Sequence, residues 1–265
     1  MIRSLFAATL GLLLGNPALA QPRVPGYPHL DDPVGIVANP CPNHPRPEEE
    51  PARRIFDLQM RVSDFGGLCH YAADNRALAG QKQRVVFMGD SITYNWIRFD
   101  PALFTNGVID RGIGGQTTSQ MLVRFRQDVL ALKPQAVHLM AGTNDIAGNS
   151  GPATMETVFG HIVSMAELAR ANGIKVIIAS TPPAGAFSWS PAMRPAPQVI
   201  VLNRLLAAYA RTHGFVYADY HALLATPDGS MRADYARDGV HPNAKGYAAM
   251  RPLASAAIQQ VLGSR

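Results

Sequence analysis

The 265-residue chain is 47% hydrophobic and 16% charged, which supplies a core and excludes a globally disordered polypeptide. Its net charge of +5 comes from scattered Arg and Lys, with no basic block interleaved with aromatics, so no nucleic-acid-binding surface is legible. The length suits one large α/β domain or two small ones.

Taken in order, the chain starts with the make-up of an export signal. Arg3 gives a positive start, Leu5 to Leu14 an apolar core, and Ala18-Leu19-Ala20 a small-residue cleavage site. The apolar run is short for a bilayer, so residues 1–20 are expected to be removed, leaving no membrane anchor and a periplasmic or secreted product. Residues 21–50 follow with Pro22, Pro25, Pro28, Pro33, Pro40, Pro42, Pro45 and Pro47 and the acidic run at 48–50, a composition that reads as an extended arm. In an oxidising compartment Cys41 and Cys69 are expected to be bridged. His44 and His70 do not complete a zinc-ligand spacing with them, so no metal site is expected.

From about 52 to 78 the pattern is helical, with Ile55, Leu58 and Val62 sharing a face and Gly66-Gly67 breaking the run. Residues 85–88 then form an apolar, β-branched-rich run that reads as a strand buried on both faces, ending in Gly89-Asp90-Ser91. Ser91 is either a nucleophile delivered past the carboxyl end of that strand or a cap for the next helix. Further strands are predicted at 107–110, 136–140, 174–179 and 215–217, and helices at 118–132, 155–171, 199–212 and 244–261. Pro252 is expected to kink or restart the last helix. This alternation predicts βαβ units: an α/β fold whose mainly parallel, five-stranded sheet is covered on both faces. From residue 51 onward a single domain is expected, with no internal repeat.

Ser91, the glycine-rich loop around Gly114, and Asn144 each follow an apolar run, so a parallel sheet brings all three to one edge. Asp238-Gly-Val-His241-Pro242 lies in a loop just before the last helix. Imidazole is the usual base for a serine hydroxyl, and a carboxylate three residues earlier can fold back onto its Nδ1 side. Asp219 is the rival acid but lacks that short tether. Asp90 is expected to hold the turn through backbone hydrogen bonds, and His138, mid-strand, to be a core imidazole. Trp96, Phe187 and Trp189 are candidates to line an acyl or sugar pocket, against the alternative of simple packing, and Tyr94 and Arg98 are candidate rim contacts.

Gly89-Asp90-Ser91, Gly114 within 111–115, Gly142-Thr-Asn144-Asp145 and Asp238-Gly-Val-His241 resemble, in order, the four blocks of the SGNH/GDSL hydrolase family. The resemblance covers residues 84 to about 250 and implies a flavodoxin-like three-layer α/β/α sandwich. It implies Ser91 as nucleophile, His241 as base and Asp238 as acid. The Ser91 and Gly114 amides and the Asn144 side chain would form the oxyanion hole. The first block reads Gly-Asp-Ser-Ile, which resembles the acetylhydrolase and carbohydrate-esterase branches, and exported bacterial esterases of the lysophospholipase-like kind, more than the plant lipases. The expectation is a serine esterase, needing no cofactor, that removes a short acyl group, acetyl, from a small-molecule or glycan ester. The alternatives are a lysophospholipase or thioesterase, and a non-catalytic carbohydrate-binding protein of the same fold.

Overall fold

Residues 36, 40–41 and 48–263 are described in the computed structural model, so the predicted export signal and most of the Pro-rich arm lie outside the described residues. The chain divides into Met1–Ser63 and Asp64–Arg265. In the first unit α1 (Ala52–Ser63) buries Phe56, whereas Leu58 and Val62 of the predicted apolar face are 54% and 84% exposed. The predicted break at Gly66-Gly67 falls in a turn where the Asp64 carboxylate accepts from the N–H groups of Leu68 (2.7 Å) and Cys69 (2.9 Å), before α2 (Ala72–Ala77). A Cβ on Gly66 would lie 2.6 Å from Val123 Cγ1, so any side chain there would force Val123 to shift. Cys41 and Cys69 are both disulfide-bonded.

The second unit is a parallel sheet of β1 (Val85–Gly89), β2 (Val108–Gly112), β3 (Ala136–Met140), β4 (Lys175–Ala179) and β5 (Val216–Ala218), in the order β2-β1-β3-β4-β5. Alternate residues serve opposite faces, as the two-residue period of a strand requires. Val86, Met88, Val137, Leu139, Val176 and Ile178 pack on one side with α4 (Thr118–Asp128), α6 (Met155–Ala171) and α7 (Ala196–His213). Val85, Phe87, Ala136, Met140, Ile177 and Ala179 pack on the other with α3 (Ser91–Phe99) and α9 (Ala244–Leu262). The result is the three-layer α/β/α sandwich. Two short helices, α5 (Thr143–Ile146) and α8 (Tyr220–Leu224), follow β3 and β5 directly.

Most elements differ from their predicted bounds by a few residues, the helix predicted at 118–132 ends at Asp128, and two differences have a legible physical cause. β2 runs on to Gly112 because Arg111, unexpected inside a buried strand, lays its guanidinium over the Tyr71 ring (4.5 Å) and donates from Nε to Asn75 Oδ1 (2.9 Å). α9 continues across Pro252. Pro252 and Ala248, whose carbonyl the proline leaves without its usual N–H, are both exposed, so that carbonyl faces solvent instead of the core.

Register decides where the functional loops begin. Gly89 of β1 sits beside Gly112 of β2 and Met140 of β3, so the three strands end level. Ser91, Gly114 and Asn144 therefore leave one sheet edge a few residues later, side by side. Two of these exits demand glycine. A Cβ on Gly89 would lie 2.0 Å from Thr93 Oγ1 and 2.8 Å from the Met140 carbonyl oxygen, and one on Gly112 would lie 2.2 Å from the Tyr94 nitrogen.

Candidate active site

Ser91 is the first residue of α3, and Asp90 rather than Ser91 caps that helix: Asp90 Oδ1 accepts from the Ile92 N–H at 2.8 Å. The cap leaves the Ser91 hydroxyl uncommitted to backbone, and it meets His241 Nε2 at 2.8 Å. The His241 ring is held from its other side, where Nδ1 lies 2.8 Å from Asp238 Oδ2. The loop carrying both is closed locally. Asp238 Oδ1 accepts from the N–H groups of Val240 (3.1 Å) and His241 (2.8 Å), Gly239 takes φ +83°, and the Arg237 N–H donates to the His241 carbonyl at 2.8 Å. Burial is the largest single influence on Asp238 and pushes its pKa up. The two backbone N–H groups and the imidazole together outweigh it and hold the carboxyl below the usual carboxylate range. Asp219, the rival acid, is spent elsewhere: its carboxylate accepts from the Ala222 N–H at 3.0 Å and caps α8.

Gly114 is exposed, and a Cβ on it would meet nothing but Ser91 Cβ, at 4.0 Å, so its backbone lies alongside the serine. Asn144 is buried at the start of α5. Its Oδ1 accepts from Asn149 Nδ2 at 2.7 Å, which fixes the amide so that Nδ2 donates to the Gln116 carbonyl at 3.0 Å. Among the described residues the second Nδ2 hydrogen has only Asp90 Oδ2 at 3.4 Å, a long contact. Asp90 is buried beneath the site, and burial lifts its carboxyl to about 6. Neighbouring Asp145 accepts from the N–H (3.0 Å) and hydroxyl (2.5 Å) of Thr118, pinning α5 to the start of α4.

A model of the GDSL-like lipase/acylhydrolase family matches residues 87–249. The chain belongs to that family. Members are hydrolases of ester bonds, and this GDSL-like chain shares their fold closely. A GDSL-like lipase from Bacteroides thetaiotaomicron is 43% identical with a TM-score of 0.71, over 74% of this chain and 99% of that one. A proposed acylhydrolase from Bacteroides fragilis is 46% identical with a TM-score of 0.72, over 76% and 99%. An uncharacterised lipoprotein of Bacillus subtilis, YqeF, is 30% identical over 47% of this chain, and the match spans 44% of that relative's length.

The aromatic candidates separate. Trp96 is fully buried, edge-on to Phe87, Tyr220 and Phe104, and belongs to the core between the sheet and α9 rather than to a pocket. Phe187 is also fully buried, and it supports Trp189 by stacking at 5.0 Å. Trp189 is 45% exposed with its ring centroid 6.5 Å from that of His241. His138 is a core imidazole, stacked on Phe87 at 4.2 Å and bonded to the Tyr220 hydroxyl at 2.9 Å, and burial drops its pKa to about 3. Among the described residues no cluster of His, Cys, Asp and Glu could hold a metal ion, and no helix is long and apolar enough to cross a membrane. Sequence reasoning missed Arg124, Gln116 and Asn149, which brace the loops from behind. For Arg124 a signal existed: it shares the apolar stripe of Met121 and Phe125 and lies four residues from Asp128, a charge pair on the buried face of a helix.

Proposed function

We propose that this protein is a serine esterase that removes a short acyl group, acetyl, from an oxygen ester on a carbohydrate, by way of an acyl-enzyme. The observation that carries the reading is the unbroken hydrogen-bonded line from Ser91 Oγ through the imidazole of His241 to Asp238, 2.8 Å at each step. In this reading Ser91 Oγ attacks the ester carbonyl while Nε2 takes its proton, and Asp238 steadies the imidazolium. The carbonyl oxygen, now negative, is met by the N–H groups of Ser91 and Gly114 and by the Nδ2 hydrogen of Asn144 that Asp90 holds only loosely. The alcohol leaves with the proton from Nε2. Water then gives a proton to the same nitrogen and attacks the acyl-serine, and the acid is released as Ser91 Oγ takes that proton back.

Two features support the substrate class. The groups beside Ser91, the His241 imidazole and the Gly114 backbone, are polar, which suits a small acyl group better than a long chain. Because His241 hands its proton to the departing alcohol, the alcohol lies on the imidazole side, where the exposed face of Trp189 offers an apolar platform for a sugar ring. Export of the protein is supported by the disulfide-bonded state of Cys41 and Cys69 and by the B. subtilis relative's name as a lipoprotein. The deciding experiment compares p-nitrophenyl esters of rising chain length with acetate release from acetylated xylan. Acetate release and a rate that falls with chain length support the reading. A rate that rises with chain length replaces it with a lipase or lysophospholipase, and glycan binding without turnover on any ester replaces it with a carbohydrate-binding protein.

A further inference from the structure

One guanidinium grips the ends of β1 and β2 at this sheet edge. Arg124, in α4, is fully buried, as is its partner Asp128, whose Oδ2 accepts from Nη1 at 2.9 Å. Nη2 donates to the carbonyl oxygens of Gly89 (3.1 Å) and Arg111 (2.8 Å), and Nε donates to Gln116 Oε1 at 2.6 Å. Gly89 ends β1, two residues before Ser91, and Arg111 lies three residues before Gly114. Gln116 closes the glycine-rich loop, and its carbonyl accepts from Asn144 Nδ2 at 3.0 Å. The three groups assigned above to the oxyanion hole are thus tied to one rigid, planar cation.

We infer that Arg124 is a positioning residue that sets the spacing of the oxyanion hole, an inference resting on the assignment of Ser91, Gly114 and Asn144 to that hole. Stability alone is a poor reason for this residue. A buried ion pair loses much of its attraction to desolvation, and apolar side chains of similar volume often replace such pairs without loss. Fixed geometry is a better one. A guanidinium holds its donors in a fixed fork, so it can grip two carbonyl oxygens, an amide oxygen and a carboxylate at once, whereas an ammonium on a flexible stem cannot. Carbonyl oxygens at adjacent strand ends also repel each other unless a donor bridges them, and Nη2 bridges Gly89 to Arg111. Donors displaced by about an ångström lose much of their transition-state stabilisation while ground-state binding hardly changes.

The test uses the full chain and p-nitrophenyl acetate. R124K keeps the charge but lacks the fork. We expect kcat to fall about 10- to 100-fold with KM within about threefold of wild type. In an Asn144→Ala background the same change should cost clearly less than in wild type, because one of the three donors it positions is already gone. Met165→Ala, at a buried apolar position of α6, reports ordinary loss of packing and should leave kcat unchanged at a temperature where both variants are folded. Gln116→Met removes the Nε link, and with it the bond from Gln116 Nε2 to the Gly66 carbonyl (2.9 Å), while both Nη contacts stay; it should show the same pattern at smaller size and decide the matter if R124K does not fold. A kcat loss for R124K no greater than that of Met165→Ala overturns the inference, as does an equal fold-loss in both backgrounds. Failure of the underlying site assignment is distinguishable: in that case Asn144→Ala alone would raise KM rather than lower kcat, or wild-type Ser91 would not be labelled by a fluorophosphonate.

Discussion

A serine hydroxyl 2.8 Å from an imidazole is a nucleophile only if the ring keeps its acceptor nitrogen turned to it. Here Asp238 and its own closed turn impose that orientation. Ser91→Ala should therefore abolish turnover of a short ester, a loss on the order of a million-fold, while the protein stays folded. His241→Ala should be nearly as damaging. Asp238→Asn should cost about ten-thousand-fold, because the ring is still reached but its tautomer is no longer held. Asp219→Asn should leave kcat unchanged, its carboxylate being a helix cap. Asn144→Ala should lower kcat about a hundred- to a thousand-fold with KM nearly constant. Steady-state kinetics on these purified variants check the set. An Asn144→Ala variant that raised KM alone would remove that side chain from the oxyanion hole, and a critical Asp219 would reverse the choice of acid.

At the scale of elements, the close approach of α3 to the β2 end is what brings Ser91 to the Gly114 loop. No Cβ separates them, since one on Gly112 would come within 2.8 Å of the Asp90 carbonyl as well as 2.2 Å of the Tyr94 nitrogen. Both obstacles are backbone and cannot swing aside. Gly112→Ala should thus cost about 3 kcal/mol in urea unfolding and lower kcat as well, because α3 must shift and carries Ser91 with it. β2 also holds Asp110, whose Oδ1 accepts from the Gly112 N–H at 2.6 Å while Oδ2 is buried without a partner among the described residues. Burial lifts this carboxyl to about 7, against the opposing pull of that N–H and the Arg111 and Arg124 guanidiniums. The native state therefore holds a proton that the unfolded chain releases, so this stability is full below the ordinary carboxylate range and is lost as pH rises through about 7. Asp110→Asn removes the titration. Relative to wild type it should gain on the order of 2–4 kcal/mol between pH 4 and pH 8 in denaturant unfolding, and a pH-independent difference would show that Asp110 titrates normally.

For the whole molecule, Cys41 and Cys69 supply a check that needs no substrate. Both are disulfide-bonded, so the folded chain should take up no thiol reagent until reduced, and prompt labelling of the unreduced protein would refute the bridge.

The strands, the order of the four blocks and the short Asp238-to-His241 tether were legible in the sequence because each depends on near neighbours. β3 was predicted at its observed bounds, and the three-layer arrangement follows from the alternation of apolar strands with amphipathic helices. Tertiary structure alone decided which aromatics face the site, since Trp96 and Trp189 carry the same side chain and only their surroundings send one into the core and leave the other beside His241. It alone decided that Leu58 and Val62 stay exposed, since a helical period marks a stripe but not whether anything covers it. It alone disclosed Arg124, whose carbonyl partner Gly89 lies 35 positions away in the chain. Local pattern encodes what a segment can form. Which buried polar groups it then satisfies depends on strands that come together only when the sheet is assembled.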